Sequence, residues 1–390
     1  MEQVINLDHL SANPILPEVQ EAMIQAMKNN YGNPSSQHKL GDSAARALEN
    51  ARESVARLIN AKDLKEIVFT SGGTESVNHA IKGVAFARVE KGRHIVTSNI
   101  EHNAVLRSLR RLKLMDYQVT SVPVDKYGII GADKVAEAIK PETILVTVMH
   151  SNNEIGTIEP IKEIAALCRE KKVPFHTDAV DSVGVVPMDV QDLGLDLLSL
   201  SSNTFYGPAG VGALYSKKGT SIWPLLDGGV QENNKRAGAE NLIGIIGLGK
   251  AAELAVWEME SRKRHYLELK KTLLRELPNY IDEYIINGHP ELCLPNLLSI
   301  SIKYVEGESL VLMLDDENIA LSTRSACAAG ALQASHVLIS IGRDFADAQG
   351  TLVISFGLDN KKEDITRFLS VLREAVKTLR DISPLYPRGK

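Results

Sequence analysis

The residues able to do chemistry in this chain come in short polar runs, each just beyond an apolar stretch. Thr70-Ser71-Gly72-Gly73-Thr74-Glu75-Ser76 sets two glycines and several hydroxyls where a helical stretch begins. Free amides and hydroxyls at such a start suit a phosphate, and the same run also reads as a capped glycine turn. Glu101-His102-Asn103 offers an imidazole that could stack on a flat ligand or serve only structure. His150-Ser151-Asn152-Asn153-Glu154 gathers polar residues past a buried run, which favours a site over a turn. Asp178, in His176-Thr177-Asp178-Ala179-Val180-Asp181, is costly at a buried strand end unless paired; it could hold a protonated ring nitrogen or cap a helix. Ser199 to Pro208 clusters hydroxyls before a Gly-Pro stop. Arg236, between small residues and a helix, could reach an anion. Cys327 lies in Ser325-Ala326-Cys327-Ala328-Ala329-Gly330, small residues that cannot pack a core, so an exposed loop and an accessible thiol are expected. Cys168 and Cys293 have apolar neighbours and read as inert small hydrophobes.

The elements that must position these runs alternate. Candidate strands are Glu66–Thr70, Arg93–Thr97, Gln118–Val122, Thr143–Met149, Val173–Asp178, Leu195–Ser201 and Val211–Tyr215. Several are apolar throughout, as parallel strands buried on both faces are. Helical stretches at Asp42–Leu58, Glu75–Glu90 and Ile161–Lys172 lie between them. Together they predict an α/β domain with a mostly parallel, doubly wound sheet, whose ligands sit beyond the carboxyl ends of the strands. A long helix over about Leu242–Leu277 follows, then the alternating Asn296–Ile302 and a smaller α+β C-terminal domain. The expected division is 15–258 for the large domain, with 1–14 and 259–390 forming the small one that carries the Cys327 loop.

Composition narrows the function. The 390 residues carry 44 Lys+Arg against 49 Asp+Glu, a net charge of -5, so no basic surface offers itself to nucleic acid. No run approaches a membrane span, and the start lacks a basic and then apolar leader. Three distant cysteines make neither a disulfide framework nor a paired-cysteine metal site, and a cytoplasmic setting is expected.

Taken together the motifs resemble the cysteine desulfurases of the NifS/IscS type, class-V aminotransferase-like proteins of the PLP-dependent transferase fold type I. The matching runs include Gly32-Asn33-Pro34-Ser35-Ser36-Gln37-His38, Ser71-Gly72-Gly73-Thr74-Glu75-Ser76, Glu101-His102, Asn152-Asn153-Glu154-Ile155-Gly156-Thr157, Tyr206-Gly207-Pro208, and Ser325-Ala326-Cys327 with Ser335-His336-Val337-Leu338. The resemblance implies pyridoxal 5′-phosphate (PLP), with Gly73, Thr74 and Ser201 on its phosphate, His102 stacked on its ring, Asp178 at its ring nitrogen, and Asn153 at the substrate or ring oxygen. It makes Cys327 the sulfur-accepting residue. It places Asp181, Asn203 and Thr204 at the cofactor, and Asn33, Arg236 and Val353 at substrate-binding positions. It also implies a homodimer and an IscU-type iron–sulfur scaffold as partner.

Departures from the family pattern cluster in that site. Thr204 stands where the family has its imine-forming lysine, and Asn203 replaces the neighbouring histidine. Asp181 replaces a glutamine, Ala239 the threonine of Arg-Ser-Gly-Thr, and Val353 the carboxylate-binding arginine. Threonine can neither form an imine nor shuttle a proton as an amine does. The residues therefore argue against ordinary turnover of L-cysteine. Lys235 is the one nearby substitute, and it reads as a surface lysine. Three functions follow. In the first, a sulfur-transfer protein for iron–sulfur cluster assembly uses Cys327 as persulfide carrier or as ligand of a [2Fe-2S] cluster shared with the scaffold. In the second, an enzyme uses noncovalently held PLP on another amine. In the third, an inactive dimer binds and regulates a partner.

Overall fold

The computed structural model describes residues 4–11, 13–323 and 334–387. Seven strands form the central sheet: β2 (Ile67–Thr70), β3 (His94–Ser98), β4 (Gln118–Val122), β5 (Thr143–Thr147), β6 (Phe175–Asp178), β7 (Leu197–Ser201) and β8 (Gly212–Ser216), after a short β1 (Ile5–Asn6). Their order is β2-β8-β7-β6-β5-β3-β4. The contiguous strands from β7 to β4 pair in parallel, and β8 is antiparallel to both its neighbours. Reversing β8 leaves β2 parallel to the rest, so β2 also ends on the edge where β3, β5, β6 and β7 end. Strands β5, β6 and β7 are buried along their whole length, polar residues included, whereas the edge strand β4 is partly exposed.

Apolar side chains cover both faces. One cluster holds Val55, Val96, Val146, Phe175, Leu198 and Leu248; the other packs Val77, Ile81 and Val84 of the helix Gly73–Ala87 against Val105 and Leu109 of the helix Asn103–Lys113. Burying one such Val, Ile or Leu side chain is worth about 1.5–3 kcal/mol. The helix Leu242–Glu276 runs for 35 residues. Its first half joins the sheet's core through Ile245, Leu248 and Ala252. Its second half joins a separate core through Tyr266, Leu269 and Leu273. That second core lies under an antiparallel sheet of β9 (Tyr284–Asn287), β10 (Leu297–Ile302) and β12 (Thr351–Ser355) and the helix Lys362–Ile382. The opening strand β1 crosses over to pair in parallel with β11 (Ile319–Ala320). No helix among the described residues is long and apolar enough to cross a membrane.

One boundary differs from expectation in a way that matters. The helix expected from Glu75 starts at Gly73 and ends at Ala87, with a separate turn at Val89–Lys91. Gly72 precedes it with φ +143°, a conformation that glycine adopts without strain. The earlier start puts the Gly73 and Thr74 amides in the first helical turn, where no intrahelical acceptor reaches them.

Candidate functional site

The strand ends converge on one cavity of about 220 Å³. Gly73 and Thr74 follow β2, His102 follows β3, Asn153 follows β5, Asp178 and Asp181 end and follow β6, and Ser201, Asn203 and Thr204 end and follow β7; all line it. The crevice beyond the carboxyl ends is where a doubly wound sheet places its ligand.

The helix start contributes Gly73 and Thr74 to the wall. A Cβ on Gly73 would fall 2.5 Å from Val180 Cγ2, so only glycine lets the Gly73 backbone come this close to the β6 loop. Ser201 Oγ donates to Asn203 Oδ1 at 2.6 Å beside it. Asp178 on the same wall is 6% exposed, and its Oδ1 accepts the Val180 amide at 3.2 Å. Burial pushes its carboxyl up to about 6, with His102 drawing it down and Asp181 pushing it further up. Such a carboxylate favours a cation beside it. His102 caps the helix Asn103–Lys113 and its Nδ1 accepts from the Ala104 amide at 3.1 Å. That bond leaves the neutral ring's proton on Nε2.

The turn presenting Asn153 is fixed by its neighbour. Asn152 donates to the Ile100 carbonyl at 2.9 Å and accepts the Glu154 and Ile155 amides at 2.9 and 3.0 Å. Behind Asp178 lies Glu101, fully buried, accepting from the Ser98 hydroxyl at 2.6 Å and the Met149 amide at 3.0 Å. Burial pushes its carboxyl up to about 8, so it is neutral at pH 7. Ser335 donates to Glu154, and His336 Nε2 lies 3.1 Å from the Glu101 carbonyl oxygen. The start of the helix His336–Ser340 is thereby fastened to the two loops that carry His102 and Asn153.

The Thr204 hydroxyl is engaged. Its Oγ1 lies 2.7 Å from the Val180 carbonyl and 3.0 Å from that of Ser201. Asn13 holds the same turn from outside, donating to the Asn203 and Thr204 carbonyls at 3.0 and 3.2 Å, and His9 Nδ1 lies 3.0 Å from Asn13 Oδ1. Among the described residues no lysine or arginine lines the cavity. These groups fit PLP at its phosphate, its ring face and its ring nitrogen. They do not fit it at the aldehyde carbon, where the lining offers no amine.

Three assigned residues stand elsewhere. Arg236 Nε pairs with Glu75 Oε1 at 3.0 Å, off the cavity wall. Asn33 is exposed and accepts the Ser35 amide at 2.8 Å. Val353, 2% exposed on β12, packs with Leu10, Val185, Leu294 and Leu297. Lys235 donates to the Lys65 carbonyl at 3.2 Å and also stays off the wall. Cys327 lies outside the described residues. Cys168 is buried, and its thiol is pushed up to about 12 by burial and then by Asp196. Cys293 departs from the apolar reading, because Lys270 Nζ lies 3.1 Å from its sulfur. Leu10, Val77, Ala104 and Val180 also line the cavity. Their apolar side chains carried no chemical signal, and Leu10 is distant in sequence.

The sequence pattern of the aminotransferase class-V family matches residues 5–368. The chain is 48% identical to a cysteine desulfurase IscS of Dictyoglomus turgidum over 384 residues, covering 98% of this chain and 97% of that one. It is 47% identical to a cysteine desulfurase IscS of Methanosarcina thermophila over 386 residues, covering 99% of this chain and 95% of that one. A solved NifS-like protein superposes with a TM-score of 0.90 at 34% identity, covering 96% of this chain and all of the other. With the fold and the strand-end cavity, these similarities make the chain a member of the aminotransferase class-V family, in its NifS/IscS cysteine desulfurase branch.

Proposed function

We propose that this chain serves sulfur transfer for iron–sulfur cluster assembly without the lysine-anchored chemistry of its relatives. The observation that carries the reading is Thr204, whose hydroxyl is tied to backbone carbonyls on a cavity wall that offers no amine. The cavity would hold the cofactor noncovalently. Gly73, Thr74 and Ser201 would take the phosphate, His102 the ring face, and Asp178 the protonated ring nitrogen. When bound, PLP supplies an electron sink through that protonated ring. Asn153 would orient whatever sits over it. Val353, packed among Leu10, Leu294 and Leu297, provides no counter-charge for an amino-acid carboxylate.

Cys327 is the sulfur carrier in this reading. Its thiolate attacks the outer sulfur of a donor persulfide. A new S–S bond forms on Cys327, the donor's S–S bond breaks, and the donor leaves as a thiolate, with no net oxidation. A cysteine of an IscU-type scaffold, bound to the homodimer, would take that sulfur in the same way. Loading the purified protein with a small-molecule persulfide and measuring intact mass tests this. The wild type is expected to gain one sulfur per chain and to pass it to the scaffold, while Cys327→Ala gains none. Equal loading and delivery by Cys327→Ala would overturn the assignment.

A further inference from the structure

A second cavity, of about 310 Å³, lies at the opposite edge of the central sheet. Lys172 stands just ahead of β6 and Asp196 just ahead of β7, on the edge where those strands begin. Strand β8 runs the other way, so its end delivers Lys217 and Lys218 to the same edge. The C-terminal ends of the helices Gly73–Ala87 and Ile161–Glu170 bring Arg88 and Arg169. Five cationic side chains thus line the space, with Asp196 as the one carboxylate among the described residues. In a chain with 44 Lys+Arg against 49 Asp+Glu, that is a marked local excess.

Asp196 is already engaged. One of its oxygens accepts the Phe175 amide at 3.0 Å, and the other lies 3.8 Å from Lys217 Nζ. Among the described residues, the side chains of Arg88, Arg169, Lys172 and Lys218 make no ion pair. Helix-end dipoles account for cations at Arg88, Arg169 and Lys172. They do not account for Lys217 and Lys218, which follow a strand. Arg88 adds a sharper signal. Its Nε is buried with no hydrogen-bond partner, and burial works against its charge, with Asp196 acting the other way. A buried charged donor left unpaired is costly, and an anion in the cavity relieves that cost. We propose that this cavity binds a small oligophosphate, an anion of two or more linked phosphates. The cations come from two helix ends and a strand end, so a chain of phosphates meets them where a single phosphate meets only some. Guanidinium forks and ammonium groups are the usual partners of phosphate oxygens. The cavity has the volume of a small-ligand pocket, at the low end of the range of about 300–1,000 Å³. The site is separate from the strand-end cavity and does not depend on how that cavity holds a cofactor.

Isothermal titration calorimetry of the purified protein with inorganic triphosphate, at low ionic strength, reads the proposal directly. Triphosphate is expected to bind at least about tenfold more tightly than orthophosphate, the scale of one charge-assisted hydrogen bond. Arg88→Gln, and separately Lys217→Gln with Lys218→Gln, are each expected to weaken triphosphate binding at least about tenfold. Melting curves check that the variants are folded. The two lysines are exposed, so the double variant keeps the test intact even if Arg88→Gln unfolds. ATP distinguishes the sources of the phosphates. Equal affinity for ATP and triphosphate means that the phosphate chain alone is recognised, and tighter binding of ATP means that a nucleoside is recognised with it; either supports the site. No triphosphate binding by the wild type, or unchanged binding by the folded lysine double variant, overturns it. Orthophosphate or a polyglutamate peptide binding as tightly as triphosphate overturns the oligophosphate assignment.

Discussion

Thr204→Lys is expected to acquire covalently held cofactor, where the wild type holds none. After incubation with PLP, borohydride reduction and unfolding, the variant should carry one reduced cofactor per chain, on a peptide containing residue 204. The wild type should carry none there. Thr204 lines the cavity and is buried, so a longer side chain at that position has the cavity to enter. In the proposed reading an amine is the one group missing at the aldehyde carbon, and Gly73, Thr74, Ser201, His102 and Asp178 would supply the phosphate and ring contacts. The substitution gives up the Oγ1 bond to the Val180 carbonyl, worth about 1 kcal/mol. Desulfurase turnover should not return with it. Val353 still faces apolar neighbours where the proposed reading expects an arginine in an active desulfurase, and a charge-assisted pair of that kind is worth about 1.5–3 kcal/mol.

Glu232→Ala is expected to destabilise the fold by about 3–5 kcal/mol, read as a fall in the urea midpoint. Glu232 grips Arg52 with both oxygens, at 2.7 and 2.8 Å, and the two side chains are 1% and 5% exposed. The same carboxylate accepts the Phe69 amide at 2.8 Å in β2. Arg52 also donates to the Ile67 carbonyl at 2.9 Å and lies over the Phe69 ring. Burial works to lower the Arg52 pKa, and its bonds to Glu232 outweigh that effect. Removing Glu232 leaves a buried guanidinium whose remaining counter-charge is the exposed Glu49, 3.0 Å from its Nε. Replacing both partners by apolar residues, Arg52→Met with Glu232→Leu, should recover much of the loss, because the penalty lies in the buried charge. The pair has a role at the site too. It steadies β2, whose end delivers Gly72 and Gly73, and it holds Glu232, Asn233 and Asn234 in consecutive left-handed conformations before Arg236.

The legibility of this chain followed its physical chemistry. Strand β5 was readable because burial on both faces favours a run such as Ile144-Leu145-Val146, and β6 and β7 were readable from the apolar residues that lead into them before their polar ends. The wall from Gly73 to Thr204 was readable because polar residues just past buried strands are costly unless used. The positions off the wall were not. Arg236 looks the same in sequence whether it meets a ligand or Glu75, and the choice is made by the helix that brings Glu75 within 3.0 Å. Leu10 joins the cavity, and the cluster containing Val353, only because the opening segment crosses to the second core, a pairing of Ile5 with Ile319 that no local pattern announces. The contact of Lys270 with Cys293 likewise joins residues of separate elements.

The central claim is that this member of the family has lost lysine-dependent turnover of L-cysteine while keeping the cavity that surrounded it. Alanine formation tests it most directly. The purified wild type, with PLP, L-cysteine and a thiol reductant, is expected to form alanine at the rate of protein-free PLP. Sustained alanine formation over many turnovers, above that rate, would contradict the account.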